Sequence, residues 1–198
     1  MNRIAAFRAR LRARADSEHE QAILRIVITA LLLAYLGLTY APTTGGGDAR
    51  LPFVVLFAAY LAFAIALFVA ICIWPGPSIL RRFVGMIADI GTATFCMFLA
   101  EETGVVVIGV YLFLTFGYGF RYGRRYLLAC QALCVLGFFA VVRYVPYWQV
   151  HSVASWALMV ALIVLPLYVS TLLQRIEQKH VETERALKEC LERERRAR

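Results

Sequence analysis

Just before the first apolar stretch of this 198-residue chain stand an arginine, two acids, a serine and an amide: Arg14, Asp16, Ser17, Glu18 and Gln21. Two kinds of chemistry suit them. Ser17 and Glu20 have the spacing of a capping box, in which hydroxyl and carboxylate each satisfy a free amide at a helix start. Asp16 and Glu18 would add favourable charge at that positive helix end. The same groups could instead hold the polar head of a small amphiphile. Spacing alone leaves both roles open, and the two can coexist.

A second set lies in the run Gly117-Tyr118-Gly119-Phe120-Arg121-Tyr122-Gly123-Arg124-Arg125-Tyr126. Its glycines permit close backbone approach, its tyrosines supply amphipathic walls, and Arg121 and Arg124 offer forked grips on a carboxylate or phosphate. A basic turn holding lipid headgroups explains it equally well. Asp89 is the only acid deep within an apolar stretch, with Arg25 or the arginines near Arg121 as expected partners. An ion pair and a proton relay are both consistent with it. Metal, redox and haem chemistry find no support. The three histidines, His19, His151 and His180, fall in separate segments, and the cysteines in the apolar stretches suit packing. No cofactor and no catalytic residue is expected.

These residues are positioned by six apolar stretches, roughly 22–40, 52–74, 83–100, 105–120, 126–142 and 153–173. A helix crossing ~30 Å of hydrocarbon needs about 20 residues, so the third to fifth are short. With 61% hydrophobic residues, the expectation is an all-α polytopic membrane protein of six transmembrane helices. Ten arginines precede the first stretch or follow the second and fourth; only Arg50 and Arg143 fall on the other side. Basic loops collect in the cytoplasm, so both termini are expected there. The net charge of +8 then needs no nucleic acid, because anionic membrane lipids are sufficient partners for the basic rim.

The ends differ from the middle. Residues 1–15 have the spacing of an amphipathic helix lying on the membrane. From Leu173 onwards the chain is rich in helix formers, and Leu173, Ile176, His180, Thr183, Leu187 and Cys190 form a weak heptad seam. This predicts a cytoplasmic coiled-coil-like helix continuous with the sixth stretch, which Pro166 should kink. The domain reading is 1–21 juxtamembrane segment, 22–173 six-helix membrane domain and 174–198 signalling helix.

Three motifs in this order, 14–21, 119–126 and Leu165-Pro-Leu-Tyr-Val-Ser170, resemble the RpfC-type sensor histidine kinases, receptors for the diffusible signal factor of bacterial quorum sensing. The similarity covers the input region of that family; a small polar residue would have been expected where Tyr118 stands. The resemblance implies a cis-2-unsaturated medium-chain fatty-acid signal received by Arg14, Asp16, Ser17, Glu18 and Gln21; held beside them, Arg121 and Arg124 of the basic run could complete a pocket for its carboxylate head. It implies a homodimer in the bacterial inner membrane, with Pro166, Leu173, Ile176 and Leu187 relaying motion towards a kinase core and response regulator. The kinase core is expected outside this polypeptide, which would itself be no enzyme. The family is described with five spans and an outer N-terminus, whereas the charges here place six and an inner one. The alternative reading is a small transporter or lipid-handling protein using Asp89 and the 121–125 run.

Overall fold

Inside a bilayer every backbone amide and carbonyl must find a partner within the chain, so continuous apolar stretches of this length fold as helices. The computed structural model describes residues 18–39, 51–74 and 76–197. Among them are α1 (Glu18–Thr39), α2 (Leu51–Ile73), α3 (Ile79–Ala100), a 3₁₀ turn (Glu101–Val105), α4 (Val106–Tyr122), α5 (Arg124–Tyr144), the short α6 (Pro146–Val150) and α7 (Ser152–Ala197). No strand occurs among the described residues. Five segments are long and apolar enough to cross a membrane: Leu51–Ile73, Ile79–Ala100, Thr103–Tyr122, Arg124–Tyr144 and Ser152–Glu189. The described residues are all-helical in their regular structure and of the multi-pass membrane type. The amphipathic 1–15 segment lies outside the described residues.

The stretches that looked short are lengthened by their charged ends. Ser78 Oγ accepts the Arg81 amide at 3.4 Å, a capping contact that starts α3 four residues earlier than expected and takes Arg81 and Arg82 into its first turn. At the other hairpin, α4 runs on to Tyr122 and stops at Gly123, whose φ of 88° is open to glycine and strained for other residues. The Gly123 amide closes that end on Gly119 O at 2.8 Å, and α5 begins at once with Arg124. The segment joining the fifth and sixth apolar stretches contains α6. Pro146 supplies its first residue, and Trp148 is buried edge-on against Phe138 with ring centroids 5.3 Å apart.

The described helices fall into two compact units, Met1–Val107 and Ile108–Arg198. In the first, α1 packs along α2 and α2 along α3. Its core is tied by a buried ion pair: Arg25 Nε and Nη2 donate to Asp89 Oδ1 and Oδ2 at 2.7 and 2.9 Å. Of the partners expected for Asp89, Arg25 is the one engaged. Tyr60 of α2 donates its hydroxyl to the same carboxylate, so all three helices meet there. Gly85 makes room for the guanidinium; a β-carbon at that position would lie 2.6 Å from Arg25 Nη2. In the second unit, α5 packs on α7, with α6 joining them and in contact with both.

Removing one partner of such a pair strands the other charge in an apolar interior. Asp89→Ala should cost about 3–5 kcal/mol of unfolding free energy in lipid nanodiscs, and the double variant Arg25→Met/Asp89→Leu should recover most of it. Gly85→Ala should destabilise through the same pair, so its cost should largely vanish in the Asp89→Ala background. Full additivity of the two costs would refute that coupling.

Candidate functional site

Of the juxtamembrane cluster, the described residues contain Glu18 and Gln21; Arg14, Asp16 and Ser17 lie outside them. Glu18 opens α1 and is 4% exposed. Its carboxylate sits at the start of α3. Oε2 accepts Arg81 Nε at 2.8 Å and Arg81 Nη2 at 2.5 Å, and Oε1 accepts Arg82 Nε at 2.6 Å. The Ser78 amide approaches Oε1 at 3.4 Å, so the positive end of α3 adds to the two cations. Arg81 is braced from behind, donating through Nη1 to Trp74 O at 3.0 Å and through Nη2 to Gly76 O at 2.6 Å. Gln21 is half-buried, one turn further along α1.

The two ionic contacts of this unit obey one spacing. Glu18 and Arg25 are seven residues apart on α1, and Arg82 and Asp89 are seven apart on α3. Seven residues are almost two whole turns and roughly 10 Å of rise, so each pair lies on one face. Acid faces base at both levels with the signs exchanged, which requires α1 and α3 to run in the same direction with their starts level.

Burial pushes the Glu18 carboxyl up, but the hydrogen bonds from Arg81 and Arg82 and the Arg81 charge outweigh it, leaving its pKa below the ordinary 4.5. A carboxylate of lowered pKa adds stability that is present above its ordinary value and lost as pH falls through the folded one.

Arg121 closes α4 and Arg124 opens α5, so both belong to the second unit, whereas Glu18 and Gln21 belong to the first. The tyrosines of that run form a ladder, with Tyr118, Tyr122 and Tyr126 ring centroids 5.9 and 5.3 Å apart. Arg121 is half-buried and Arg124 exposed. Among the described residues no cluster of histidine, cysteine and acid could hold a metal ion.

Pro166 is fully buried within α7, which stays helical through it from Ser152 to Ala197. Lacking an amide hydrogen, Pro166 leaves Leu162 O without its helical donor. Gln131 of α5 answers this: its Nε2 lies 3.5 Å from Leu162 O and donates to Ile163 O at 2.6 Å. Leu173 is half-buried, while Ile176 and Leu187 stand exposed on the rod at 52% and 60%.

The sequence reading missed Arg81, Arg82 and Gln131. For Arg81 and Arg82 a signal existed in the matched seven-residue spacings of opposite sign. For Gln131 the signal was a lone amide in an apolar stretch, to be read together with the proline of another.

Over 165 residues, 83% of this chain, the sequence is 37% identical to sensory/regulatory protein RpfC from two strains of Xanthomonas campestris pv. campestris. The chain resembles RpfC over most of its length. It spans about a fifth of RpfC's own length, the matched part being 22% of those proteins. No family model matches the chain. No solved structure matches it.

Two outcomes are expected from this geometry. Thermal unfolding in nanodiscs should show the native chain more stable than Glu18→Gln at pH 7, with the gap closing as pH falls below 4.5. A gap that stays constant down to pH 3 would mean that the Glu18 charge contributes nothing. Gln131→Leu should cost about 1–3 kcal/mol by leaving buried carbonyls unanswered, whereas Gln131→Leu with Pro166→Ala should regain much of it.

Proposed function

We propose that this chain is the membrane-embedded sensory part of an RpfC-type signalling protein. On this reading, a cis-2-unsaturated medium-chain fatty acid is received at the juxtamembrane segment 1–21, through Arg14, Asp16, Ser17, Glu18 and Gln21, with Arg121 and Arg124 contributing. The domain 22–173 holds six spans in the bacterial inner membrane, with both termini cytoplasmic, and 174–198 is the signalling helix. Two copies associate, and the rods pass the change to a kinase core and response regulator.

The observation that carries this reading is the continuity of α7. One helix of 46 residues joins an apolar membrane segment to a charged rod, a length of about 69 Å. A helix unbroken at the membrane surface transmits rotation or translation, which a flexible linker would dissipate. Exposure of Ile176, Val181 and Leu187 on an otherwise polar rod supports a second copy as their partner. The parallel course of α1 and α3 supports α1 as a further span beside the five, entering from the same face as α3. That face carries Arg81 and Arg82, and the positive-inside rule makes it cytoplasmic. Tyr60 and Arg25 satisfy Asp89 within the first unit, which favours a structural anchor over a transport path.

The test is binding of cis-2-dodecenoic acid to the chain in nanodiscs, with dodecanoic acid alongside. Saturable binding that prefers the cis acid and weakens about tenfold or more in Asp16→Ala/Gln21→Ala is expected. Equal partitioning of both acids into all samples would remove the receptor reading. Coupling is read by disulfide crosslinking of Ile176→Cys between copies, whose rate should change with the cis acid. One alanine inserted after Leu173 rotates the rod by about 100° and should abolish that change while leaving binding intact.

A further inference from the structure

Beside the Glu18 contact lies an apolar groove that the proposed function has not used. Leu67 and Ala70 of α2, with Trp74 just beyond its end, form one wall, and Pro77, Leu80 and Val84 the other. Its volume is about 630 Å³, within the range of small-molecule sites, and Arg81 provides its charged lining. The groove therefore joins a hydrocarbon-compatible trough to a guanidinium already holding a carboxylate.

Arg81 has five N–H donors, of which four are used: two on Glu18, one on Trp74 O and one on Gly76 O. The carbonyl contacts fix the plane of the guanidinium independently of Glu18. What they leave is a preorganised two-pronged carboxylate site, and Glu18 is in it. A second carboxylate can take that grip only if the first leaves.

We infer that Glu18 is a built-in stand-in for the ligand's head: a single-chain carboxylate amphiphile lays its tail in the 67–84 groove and displaces Glu18 from Arg81. Arg82 and the Ser78 amide complete the receiving end. This deepens the fatty-acid reading and rests on it for the nature of the ligand, but it moves the head from the acidic cluster to the arginines facing it. Like charges explain the move, since Glu18 repels a carboxylate that Arg81 and Arg82 attract. Exchange also supplies a consequence. When Glu18 leaves, the tie between the starts of α1 and α3 is cut, so the bound state differs in helix coupling from the free one.

An internal competitor lowers apparent affinity by the fraction of time it occupies the site, and deleting its charge removes that loss. Binding of cis-2-dodecenoic acid and of dodecanoic acid is measured by titration calorimetry in phosphatidylcholine nanodiscs, with empty nanodiscs subtracted. Glu18→Gln should tighten binding about tenfold. Arg81→Gln added to it should abolish the gain, and Arg81→Lys, which keeps the charge without the fork, should lose most of it. Weaker binding in Glu18→Gln, or a gain that survives loss of Arg81, would overturn the exchange even if the native chain binds the cis acid selectively. Conversely, an Arg81-dependent gain shown equally for both acids would uphold the exchange while removing the cis-selective signal. A gain erased by phosphatidylglycerol in the nanodisc would assign the site to lipid phosphate and overturn the fatty-acid occupant.

Discussion

A charge placed in hydrocarbon must be paired, and in this protein that requirement fixes the first unit. Arg25, seven residues into α1, is buried among the helices of this unit, where water cannot satisfy its guanidinium. Asp89 answers it in both halves of the fork, Tyr60 adds a third helix, and Gly85 removes the side chain that would block the approach. A bidentate contact tolerates little sliding or rotation. It therefore sets the register of α1 against α3 more tightly than apolar packing in lipid could, since lipid and side chains there are equally apolar. With the register set, the starts of both helices are level, and Glu18 meets Arg81 and Arg82 as a consequence.

The second unit meets the same constraint with a neutral device. Pro166 exposes a carbonyl inside α7, and Gln131 reaches across from α5 to the two carbonyls at the break. The proline therefore disturbs the helix without leaving a buried acceptor unanswered, and α5 and α7 become registered at the point where α7 is weakest. Thr115 and Thr29 turn their hydroxyls back onto their own helices, to Tyr111 O and Arg25 O, so their burial costs no orphan donor. Every such contact sits in an interior otherwise made of aliphatic, aromatic, Met and Cys side chains, while Leu31, Leu80, Val106 and Val153 face outwards. The pattern inverts that of a water-soluble protein.

The long apolar helices were legible in the sequence because apolar run length responds directly to bilayer thickness. The Asp89 partner was legible in part: a lone acid in an apolar stretch needs a base, but Arg25 and the arginines near Arg121 were equally open choices until the helices were packed. Helix ends were harder. Arg81, Arg121 and Arg124 read as loop residues by hydropathy, yet helices α3, α4 and α5 run through them, because a long arginine side chain can reach the interface from inside a helix. The Glu18 contact escaped for a different reason. Each of its members has a sufficient local explanation, capping for the acid and lipid headgroups for the arginines, and only the tertiary register joins them. Helix α6 was hidden because four of its five residues belong to no periodic pattern and proline alone marks its start.

The two ionic contacts between α1 and α3 differ in a way that bears on signalling. At the inner one, the Arg25 and Asp89 side chains are 8% and 2% exposed; at the rim, Arg81 and Arg82 are 12% and 19% exposed. Breaking the inner pair leaves charges in hydrocarbon, whereas breaking the rim contact delivers them to headgroups and water. The same chemistry therefore serves as a permanent pivot at one level and a releasable tie at the other, roughly 10 Å away along the helices. Under the proposed exchange, a ligand arriving from the membrane surface would meet the releasable tie first, and the pivot would confine the resulting motion to the start of α1. Local opening of low cost beside a region of high cost is the arrangement that turns a small binding energy into a directed movement.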